Sequence, residues 1–456
     1  MIDLSQPRHF HLVGIGGAGM SAIAVVLSAM GHEVTGSDLK SSPTLERLAT
    51  SGLSVATGHD AANVAGADAL AISSAIGPAN PEVQEARRRN MPVYSRAEVL
   101  SAITRLRRTI AVAGSHGKTT TSSMLSLVLV EAGLRPSFII GGDLNDIGTN
   151  AAWDEGEWMV VEADESDGTF LHLGAEIAVV TSLEPDHLEH YGGFAELSRA
   201  FERFVAEARL ALCYGDDPRP AGLLASGGEG SALFGTTGQA RFCLSEVELQ
   251  KGEVSFRLSD GEVDLGRFEL PVPGEHNALN AAAAIGAACL AGVEPEAARR
   301  ALRRFAGVAR RFEFRGEKNG VTFVDDYAHL PGEVRAMLAA VAKGGYERVV
   351  TVFQPHRYSR TESLASQFAD SFERADLVVV TSIYAAGEAP RPGVSGQLVV
   401  DAVRAAHPAA EISYVPDHDG LLAYLRRQLR PGDLCLTLDA GDLTGLADEL
   451  LGDDSW

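Results

Sequence analysis

The chain is 456 residues long, and its 45% hydrophobic and 22% charged residues are typical of a globular protein rather than a disordered or fibrous one. At about 150 residues per domain, this length predicts about three domains. The 39 Lys and Arg residues against 61 Asp and Glu residues give a formal net charge of −22, which argues against a broad binding surface for nucleic acid or for an anionic membrane. A phosphorylated ligand must therefore be bound by a few local groups.

The sequence also argues against a secreted or membrane-bound protein. The apolar stretch 10–30 contains several glycines and lacks a strongly basic start, so it does not fit a signal peptide. No run of 18 or more apolar residues is present, so we expect no membrane span. The cysteines lack a metal-type spacing, and we expect them to be small buried residues in a reducing cytoplasm: Cys213, Cys243, Cys289 and Cys435.

The first domain opens with a glycine-rich turn between a strand and a helix. A strand at 10–15 leads into the sequence G-I-G-G-A-G, an apolar helix follows, and a second strand covers 33–37. Glycines in such a turn allow a diphosphate to approach the amides at the helix N-terminus. Asp38, nineteen residues after the last glycine, is a candidate ribose ligand. The candidate diphosphate-binding residues are Gly14, Gly16, Gly17 and Gly19.

The second motif is the strongest local signal in the chain. The sequence G-S-H-G-K-T-T covers residues 114–120, directly after a strand at 109–113. Amides of such a loop bind phosphates, while the lysine reaches the β- and γ-phosphates and the first threonine can bind Mg²⁺. The usual motif has a glycine where Val112 stands, so this loop is a shortened form. It predicts ATP bound by Gly114, Ser115, His116, Gly117, Lys118, Thr119 and Thr120.

Carboxylates follow the next strand of this domain. The sequence V-V-E-A-D-E-S-D spans 160–167, and Glu162 at the strand end is the best candidate ligand for Mg²⁺, which prefers oxygen ligands. A solvated acidic turn is an equally good interpretation for the other carboxylates. The sequence E-P-D-H at 184–187 follows another strand, so we expect His187 near the same phosphates or metal. The Gly- and Pro-rich segment 216–235 indicates a surface loop.

The last third of the chain continues the alternation of helices and strands. Helical patterns separate the predicted strands 321–325, 348–353, 377–381 and 434–438. After the second of these strands, Arg357 and Arg360 could form a carboxylate clamp or simply begin a solvated helix. The predicted fold is α/β, with mostly parallel sheets in three domains covering 1–107, 108–308 and 309–456.

Further motifs complete an ordered set that extends along nearly the whole chain. These are H-L-V-G-I-G-G-A-G-M-S from residue 11, E-A-D-E-S-D, E-P-D-H, P-G-E-H-N-A-L-N from residue 273, D-D-Y-A-H from residue 325, Q-P-H-R-Y-S-R from residue 354 and Y-A-A-G-E from residue 384. With the phosphate loop, the set resembles the ATP-dependent Mur ligases of bacterial cell-wall synthesis. That family uses G-x-x-G-K-T, which explains the shortened loop.

The resemblance implies a Rossmann-like N-terminal domain that binds the diphosphate of a UDP-sugar, a central P-loop ATPase-like domain and a Rossmann-like C-terminal domain. It adds Ser73 to the UDP-sugar site and implies that Thr119, Glu162 and His187 bind Mg²⁺. Further ATP positions would be His276, Asn277, Arg311 and Asp326. The amino-acid positions would be Tyr327, His356, Arg357 and Arg360. The residues implied in the reaction itself are Lys118, Glu162, His187, His329 and Arg360.

The resemblance also implies the reaction, which is the ATP-dependent joining of L-alanine to the lactyl carboxylate of UDP-N-acetylmuramate. The carboxylate would attack the γ-phosphate to give an acyl phosphate and ADP, and the amine of L-alanine would then displace phosphate. The expected partners are these two small molecules, the cofactors are ATP and Mg²⁺, and the chain would act as a monomer or homodimer in peptidoglycan precursor synthesis.

Two departures from the family pattern keep other functions open. Leu330 follows His329 where many relatives have a second histidine, and Asp439 stands where the family often has glycine. A non-catalytic nucleotide-binding regulator is therefore one alternative, and a recycling ligase that attaches a whole peptide to the same sugar is another. The first glycine motif alone would also fit a nicotinamide-dependent oxidoreductase, which would leave Lys118 and Glu162 without a role.

Overall fold

The computed structural model describes residues 2–185, 188–250, 252–342 and 344–453, with backbone only at residues 188 and 189. Within these residues the chain forms three mostly parallel sheets of five, ten and six strands, connected largely by helices, so the predicted three-domain α/β architecture is confirmed. The chain divides into two compact units. One contains Met1–Val247, Ser255–Glu269 and Ala278–Phe305, and the other contains Glu248–Val254, Leu270–Asn277 and Ala306–Trp456.

The first sheet places the glycine-rich turn at its centre. Its elements are β1 (His9–Val13), α1 (Ala18–Ala29), β2 (Glu33–Asp38), α2 (Pro43–Thr50), β3 (Ser54–Thr57), β4 (Ala69–Ile72), α3 (Pro81–Arg88), β5 (Val93–Ser95) and α4 (Arg96–Thr104). All five strands are parallel, in the order β3-β2-β1-β4-β5. The turn after β1 therefore lies between the carboxyl ends of β2 and β4, where the strand order reverses and parallel sheets usually bind ligands.

The second sheet contains the phosphate loop. Its elements are β6 (Arg108–Ala113), α5 (Lys118–Glu131), β7 (Ser137–Leu144), β8 (Thr149–Ala152), β9 (Trp158–Glu162), β10 (Ile177–Val180), α6 (Leu188–Tyr191), α7 (Phe194–Glu207), β11 (Leu210–Tyr214), α8 (Pro218–Gly222), β12 (Ala232–Gly235), β13 (Phe242–Gln250), β14 (Glu253–Asp260), β15 (Val263–Leu270), α9 (Glu275–Leu290) and α10 (Pro295–Leu302). The strand order is β15-β14-β13-β12-β11-β10-β6-β9-β7-β8.

The strands that pair with β6 determine which segments lie beside the phosphate loop. β6 is an apolar run that is buried from Thr109 onward, and it pairs in parallel with β9 on one side and β10 on the other. The acidic segment after β9 and residues 181–185 after β10 therefore lie at the same edge of the sheet as the phosphate loop. The interpretation of 216–235 as a surface loop is wrong, because this segment contains α8, a 3₁₀ helix and β12, which pairs in parallel with β11.

The third sheet has one antiparallel edge strand. Its elements are β16 (Glu313–Lys318), β17 (Val321–Asp326), α11 (Pro331–Val341), β18 (Arg348–Phe353), α12 (Tyr358–Leu364), β19 (Leu377–Val380), α13 (Gln397–Ala406), β20 (Ile412–Tyr414), α14 (His418–Gln428), β21 (Asp433–Leu438) and α15 (Leu446–Gly452). The strand order is β16-β17-β21-β18-β19-β20, and β16 is the antiparallel strand. The last strand of the chain thus lies at the centre of the sheet, between β17 and β18.

Smaller elements complete the description. Short 3₁₀ helices lie at Ala61–Val64, Thr169–His172, Leu223–Ser226, Ala365–Phe368 and Leu443–Gly445. Among the described residues, none of the helices combines the length and the apolar character that crossing a lipid bilayer requires. The four cysteines are free thiols; Cys213 and Cys435 are buried, as expected, whereas Cys243 and Cys289 are half-buried.

Candidate active site

The first glycine-rich turn is fixed by the end of β2. The amides of Gly14 and Ile15 donate to the carbonyl oxygen of Ser37 over 2.8 and 3.0 Å, and the amide of Gly16 donates to Oδ2 of Asp38 over 2.9 Å. Gly14 has a φ of +80°, a conformation that favours glycine. The structure therefore places Asp38 at the turn itself, where one carboxylate oxygen binds an amide of the turn.

The other side of the turn is closely packed. Gly17 is the N-cap of α1, so the amides at the start of this helix form a potential anion site. A methyl group on Gly14 would lie 3.0 Å from Cβ of Ser73, and one on Gly19 would lie 2.8 Å from Nη1 of Arg96. The structure thus brings Ser73 to the glycines and adds Arg96, which sequence reasoning missed. Its position directly after β5, at the same sheet edge, is the signal that could have identified it.

Arg96 also contacts the acidic segment that follows β9. Its Nη2 donates to Oδ2 of Asp167 over 2.6 Å and lies 4.0 Å from Oδ2 of Asp164. Burial works against ionisation of Asp167, but hydrogen bonds from Thr169 and the charge of Arg96 hold its pKa below the usual value. One guanidinium is therefore shared between the glycine-rich turn of the first sheet and the acidic segment of the second.

A fully buried carboxylate supports the same turn from α3. Glu82 accepts hydrogen bonds of 2.6 Å from Oγ of Ser37 and from Nδ2 of Asn63, and nitrogens of His59 and His11 lie 3.3 and 3.8 Å from its oxygens. Burial would raise the pKa of Glu82, but the nearby ring of His11 and the hydrogen bonds from Ser37 and Asn63 outweigh it and lower the pKa to about 2. The charged carboxylate thus anchors Ser37, whose carbonyl binds two amides of the turn.

The phosphate loop joins β6 to α5. Gly114 and Gly117 have φ values of +136° and +81°, which explains two of its glycines. The amide of His116 donates to a hydroxyl of segment 182–184, and the hydroxyl of Ser115 accepts from an amide of the same segment, both over 2.8 Å. The loop is therefore braced by the residues that follow β10.

Lys118 begins α5 and is paired with a buried carboxylate. Its ammonium donates to the carbonyl of Gly114 and, over 3.0 Å, to Oε1 of Glu165. Burial alone would lower the pKa of Lys118, but the charges of Glu165, Asp164 and Glu162 raise it above its ordinary value. Burial raises the pKa of Glu165, and Lys118 opposes this effect. Lys118 is thus held charged at the loop, where an ammonium can bind phosphate.

Oxygen ligands suited to Mg²⁺ lie beside the loop. Oγ1 of Thr119 donates to Oε1 of Glu162 over 3.0 Å, and Oε2 of that carboxylate accepts from the amide of Gly141 over 2.6 Å. A methyl group on Gly141 would lie 2.6 Å from Oε2, so only glycine leaves space for this carboxylate. A hydroxyl and a carboxylate are hard oxygen donors, which fit Mg²⁺. His187, the third predicted ligand, lies outside the described residues.

Asn280, in the Ala-rich helix α9, is a second residue that sequence reasoning missed. Its Oδ1 accepts from Oγ1 of Thr121 over 3.3 Å, and a methyl group on Gly117 would collide with that oxygen. Thr120, a predicted ATP residue, lies half-buried in the same first turn of α5. A polar side chain that interrupts an apolar helix is the signal that could have identified Asn280, because burying such a group requires a partner.

His276 and Asn277 lie in the first turn of α9. Nδ2 of Asn277 donates to the carbonyl of Pro273 over 2.7 Å, and a methyl group on Gly274 would lie 2.7 Å from Nδ1 of His276. Burial lowers the pKa of His276 to about 4, so its ring is neutral at neutral pH. A neutral imidazole offers one donor and one acceptor, which suits contact with a nucleotide base.

Tyr327 and His356, two of the residues predicted to bind the amino acid, belong to a cluster of rings at the carboxyl ends of β17 and β18. The ring centroids of Tyr327 and His329 lie 5.5 Å apart, as do those of His329 and His356, and Tyr384 stacks on His356 at 5.6 Å. The pKa of His356 is lowered to about 4. Burial is the largest cause, and neighbouring cationic groups that include Arg360 add to it. Tyr384, quoted only as part of a motif, therefore belongs to this cluster.

Two arginines lie at this cluster. Nη1 of Arg360 is 3.4 Å from Nδ1 of His356, and the amide of Arg357 donates to the carbonyl of Tyr384 over 2.8 Å. Arg357 has a φ of +69°, a strained conformation of the kind that functional sites retain. Burial lowers the pKa of His329 as well. The arrangement offers guanidinium groups for a carboxylate beside neutral imidazoles that can accept a proton.

Arg311 and Asp326 lie near Tyr327. The Cζ atom of Arg311 is 4.9 Å from the centroid of the Tyr327 ring, and the carboxylate of Asp326 accepts from the amides of Phe312 and Ala328 over 2.8 Å each. Burial raises the pKa of Asp326 to about 6. Asp326 therefore fixes the backbone next to Tyr327.

The departure at Leu330 leaves the start of α11 intact. The amides of His329 and Leu330 donate to Oε2 of Glu333 over 2.9 and 3.0 Å. This carboxylate satisfies two amides that precede the helix, as a residue in the first turn often does. The position of His329 is thus defined without a second histidine.

Comparisons with known proteins identify the family. Three family models match the chain in order: "Mur ligase family, catalytic domain" over residues 9–108, "Mur ligase middle domain" over 112–288 and "Mur ligase, glutamate ligase domain" over 310–441. A UDP-N-acetylmuramate–L-alanine ligase from Anaeromyxobacter sp. (strain Fw109-5) is 45% identical over 452 residues, which cover 98% of each chain. The chain belongs to the Mur ligase family.

Two further relatives support this Mur ligase assignment. A UDP-N-acetylmuramate–L-alanine ligase from Rubrobacter xylanophilus is 47% identical over 449 residues, which cover 97% of this chain and 99% of that one. The crystal structure of a UDP-N-acetylmuramate-alanine ligase from Thermotoga maritima is similar over 98% of both chains, with a TM-score of 0.84 and 28% identity. The family and fold expected from the motifs are confirmed, while the roles of individual residues in this Mur ligase stay predictions.

Proposed function

We propose that this Mur ligase uses ATP to join L-alanine to the lactyl carboxylate of UDP-N-acetylmuramate. The observation that carries the proposal is the 45% and 47% identity, over nearly the full length, to two proteins named UDP-N-acetylmuramate–L-alanine ligase. The products would be UDP-N-acetylmuramoyl-L-alanine, ADP and phosphate, so the protein would serve peptidoglycan precursor synthesis. Because ATP and a UDP-sugar are both consumed, we place the reaction in the cytoplasm.

We assign a separate binding role to each of the three domains. We assign residues 1–107 to the UDP-sugar, residues 108–308 to ATP and residues 309–456 to the amino acid and further nucleotide contacts. In the first domain, the amides at the start of α1 would bind the diphosphate, because a helix N-terminus favours anions. The contacts that support this assignment lie around the glycine-rich turn, and the residues assigned to the UDP-sugar are Gly14, Gly16, Gly17, Gly19, Asp38 and Ser73.

In the second domain, Lys118 and the loop amides would bind the phosphates of ATP. The reaction brings together a nucleoside triphosphate and a UDP-linked acid, so the negative charge at the γ-phosphate must be offset before the carboxylate can attack. Thr119 and Glu162 would hold Mg²⁺, together with His187. When bound, Mg²⁺ would supply positive charge that offsets the charge of the phosphates. The 3.0 Å contact between the Thr119 hydroxyl and Glu162 supports this assignment, because both oxygens already share one site.

In the third domain, Arg357 and Arg360 would bind the carboxylate of L-alanine, beside Tyr327 and His356. The amine can attack the acyl phosphate only after losing a proton, and a neutral imidazole can accept one. Burial lowers the pKa of His329, which keeps its ring neutral at neutral pH. We therefore assign proton acceptance to His329 and stabilisation of the developing oxyanion to Arg360.

The test is phosphate release from ATP with UDP-N-acetylmuramate, measured with each of four acceptors: L-alanine, glycine, L-serine and the recycling tripeptide. The proposal predicts release that requires both the UDP-sugar and L-alanine. A Lys118→Ala variant supplies the background rate.

Each other outcome assigns the protein differently. Release that depends on the tripeptide rather than on L-alanine would indicate a recycling ligase. No release with any acceptor, from a protein that still binds ATP and the UDP-sugar in calorimetry, would indicate a non-catalytic regulator. Either outcome would overturn the proposed reaction.

A further inference from the structure

We infer that Asp439 is a positioning residue for the amino-acid site, because its buried carboxylate joins Arg310 beside Tyr327 to the loop that packs against Tyr384. The inference rests on the proposed function. Asp439 directly follows β21 and is 0% exposed. A buried carboxylate needs partners for both of its oxygens, and those partners define what it does.

The first oxygen of Asp439 holds Arg310. Oδ1 accepts a 2.6 Å hydrogen bond from Nη2 of Arg310, whose Cζ lies 5.1 Å from the centroid of the Tyr327 ring. The backbone ties the same residues together, since the amide of Tyr327 donates to the carbonyl of Arg310 over 2.8 Å. Arg310 has a φ of +62°, which an arginine keeps only when its surroundings enforce it. Asp439 therefore fixes the cation that lies against Tyr327.

The second oxygen of Asp439 holds the loop that follows β21. Oδ2 accepts from the amides of Gly441 and Leu443 over 3.1 and 2.8 Å. A methyl group on Gly441 would lie 2.5 Å from Cγ of Tyr384, so the loop is in direct contact with that ring. Nε2 of Gln354 donates to Oδ1 of Asp442 over 2.9 Å, which fixes the loop next to the Q-P-H-R motif.

One carboxylate thus serves both sides of the ring cluster formed by Tyr327, His329, His356 and Tyr384. It receives a guanidinium on one oxygen and two amides on the other, so every partner is a donor. Asparagine cannot replace it, because its amide group would place a donor against either Arg310 or the loop. The loss of a hydrogen bond to a charged group is equivalent to roughly ten-fold in a binding constant.

The test compares Asp439→Asn with a matched control on the same strand. Asp433 begins β21, is 2% exposed and accepts from Nε and Nη2 of Arg348 over 3.0 and 2.7 Å, at the opposite end of the strand. Asp433→Asn therefore also breaks a buried Asp–Arg pair, but far from the ring cluster. We expect Asp439→Asn to raise KM for L-alanine about ten-fold, with KM for UDP-N-acetylmuramate unchanged. Asp433→Asn should lower Tm without raising KM for L-alanine.

A second pair of variants tests the route through Arg310. If Asp439 acts by holding Arg310, the double variant Asp439→Asn/Arg310→Gln should raise KM for L-alanine by less than the product of the two single effects. If the Asp439→Asn variant does not fold, the Arg310→Lys variant is used in its place. Lysine keeps the positive charge but lacks the planar guanidinium that presents paired donors. The KM of this variant for L-alanine should then rise, and an unchanged value would overturn the inference.

The outcomes separate this inference from the proposed function. Equal KM values for L-alanine in wild type and Asp439→Asn, or equal increases in Asp439→Asn and Asp433→Asn, would overturn the positioning role while leaving the ligase reaction intact. Wild-type phosphate release that is independent of L-alanine would instead overturn the proposed function, before any variant is compared.

Discussion

Lys118 and Glu165 form a buried ion pair in which Nζ lies 3.0 Å from Oε1 and the glutamate is 2% exposed. Oε2 of Glu165 has no hydrogen-bond partner among the residues that the structure describes. The ammonium proposed to bind the phosphates of ATP is thus already neutralised by a carboxylate. ATP must compete with this carboxylate, so the pair sets part of the free energy of ATP binding.

Replacing Glu165 with Gln is expected to tighten ATP binding and to destabilise the protein without ATP. Gln keeps the shape of the side chain but not its charge, so Lys118 loses its counterion and the phosphates lose a competitor. Removing one partner of a buried ion pair costs about 3 kcal/mol. We expect a lower Tm without ATP and a larger increase in Tm on adding ATP with Mg²⁺ than in wild type.

The control for this prediction is Glu176→Gln, which removes a carboxylate that pairs with Arg108 in the same domain, 2.7 Å away. It should leave the ATP-induced increase in Tm unchanged. A smaller increase in Glu165→Gln than in wild type would show that Glu165 assists ATP binding rather than opposing it.

Replacing Lys118 with Ala should abolish ADP formation but preserve binding of the UDP-sugar. The phosphate loop follows β6, whereas the first glycine-rich turn follows β1 in a different sheet. Loss of a cation at the γ-phosphate is expected to lower kcat by at least about 100-fold. ADP formation and calorimetric titration with UDP-N-acetylmuramate measure the two effects. The control is Lys318→Ala, because the ammonium of Lys318 donates, among the described residues, to backbone carbonyls at 450–453. Equal loss of both properties would contradict separate sites.

Replacing Glu162 with Gln should raise the Mg²⁺ concentration needed for half-maximal activity. The amide keeps an oxygen near Thr119 but lacks the charge that attracts a divalent cation, so an increase of about ten-fold is expected. Phosphate release over a Mg²⁺ titration measures it. Glu157→Gln is the matched control, because Glu157 immediately precedes the same strand at its opposite end and pairs with Arg108. An unchanged Mg²⁺ requirement would exclude Glu162 as a ligand.

Glu82 should make stability depend on acid pH. Its pKa in the folded protein, about 2, lies below the usual 4.5, so the charged form stabilises the fold above pH 4.5 and this contribution is lost as the pH falls toward 2. Glu82→Gln should lower the free energy of unfolding at pH 7 by roughly 2–3 kcal/mol. Between pH 4.5 and 3, the variant should therefore lose less stability than wild type in urea denaturation.

Glu85→Gln is the control for Glu82. Glu85 lies on the same helix, but its carboxylate pairs with Arg88 and Arg89 at the protein surface. Exposed ion pairs contribute little, so this variant should follow the wild-type stability curve. Because Glu82 anchors Ser37 under the first glycine-rich turn, Glu82→Gln should also raise KM for UDP-N-acetylmuramate. If the stability curves of Glu82→Gln and Glu85→Gln were identical, Glu82 would not be a support of the turn.

The strands that lead into the site were predicted well from the sequence, because each is a short apolar run followed by polar or glycine residues. The strand at 348–353 was predicted at its observed bounds, and the predicted strand at 321–325 ended one residue early. The segment 216–235 was misinterpreted as a loop, since its Gly and Pro residues hid a short helix and a strand that is stabilised by pairing with β11. The amino-acid composition of the segment does not indicate which strand it pairs with.

The sequence by itself determined the family, the α/β architecture and the two glycine-rich loops, because each loop is a contiguous motif whose chemistry depends on local backbone geometry. Only the tertiary structure decided which distant side chains support those loops. Arg96, Asn280 and Asp439 each contact a side chain that is far away in the sequence, namely Asp167, Thr121 and Arg310, and these contacts depend on the order of the strands and on the packing of helices against the sheets. Buried polar side chains must find partners, and folding alone brings those partners within hydrogen-bond distance.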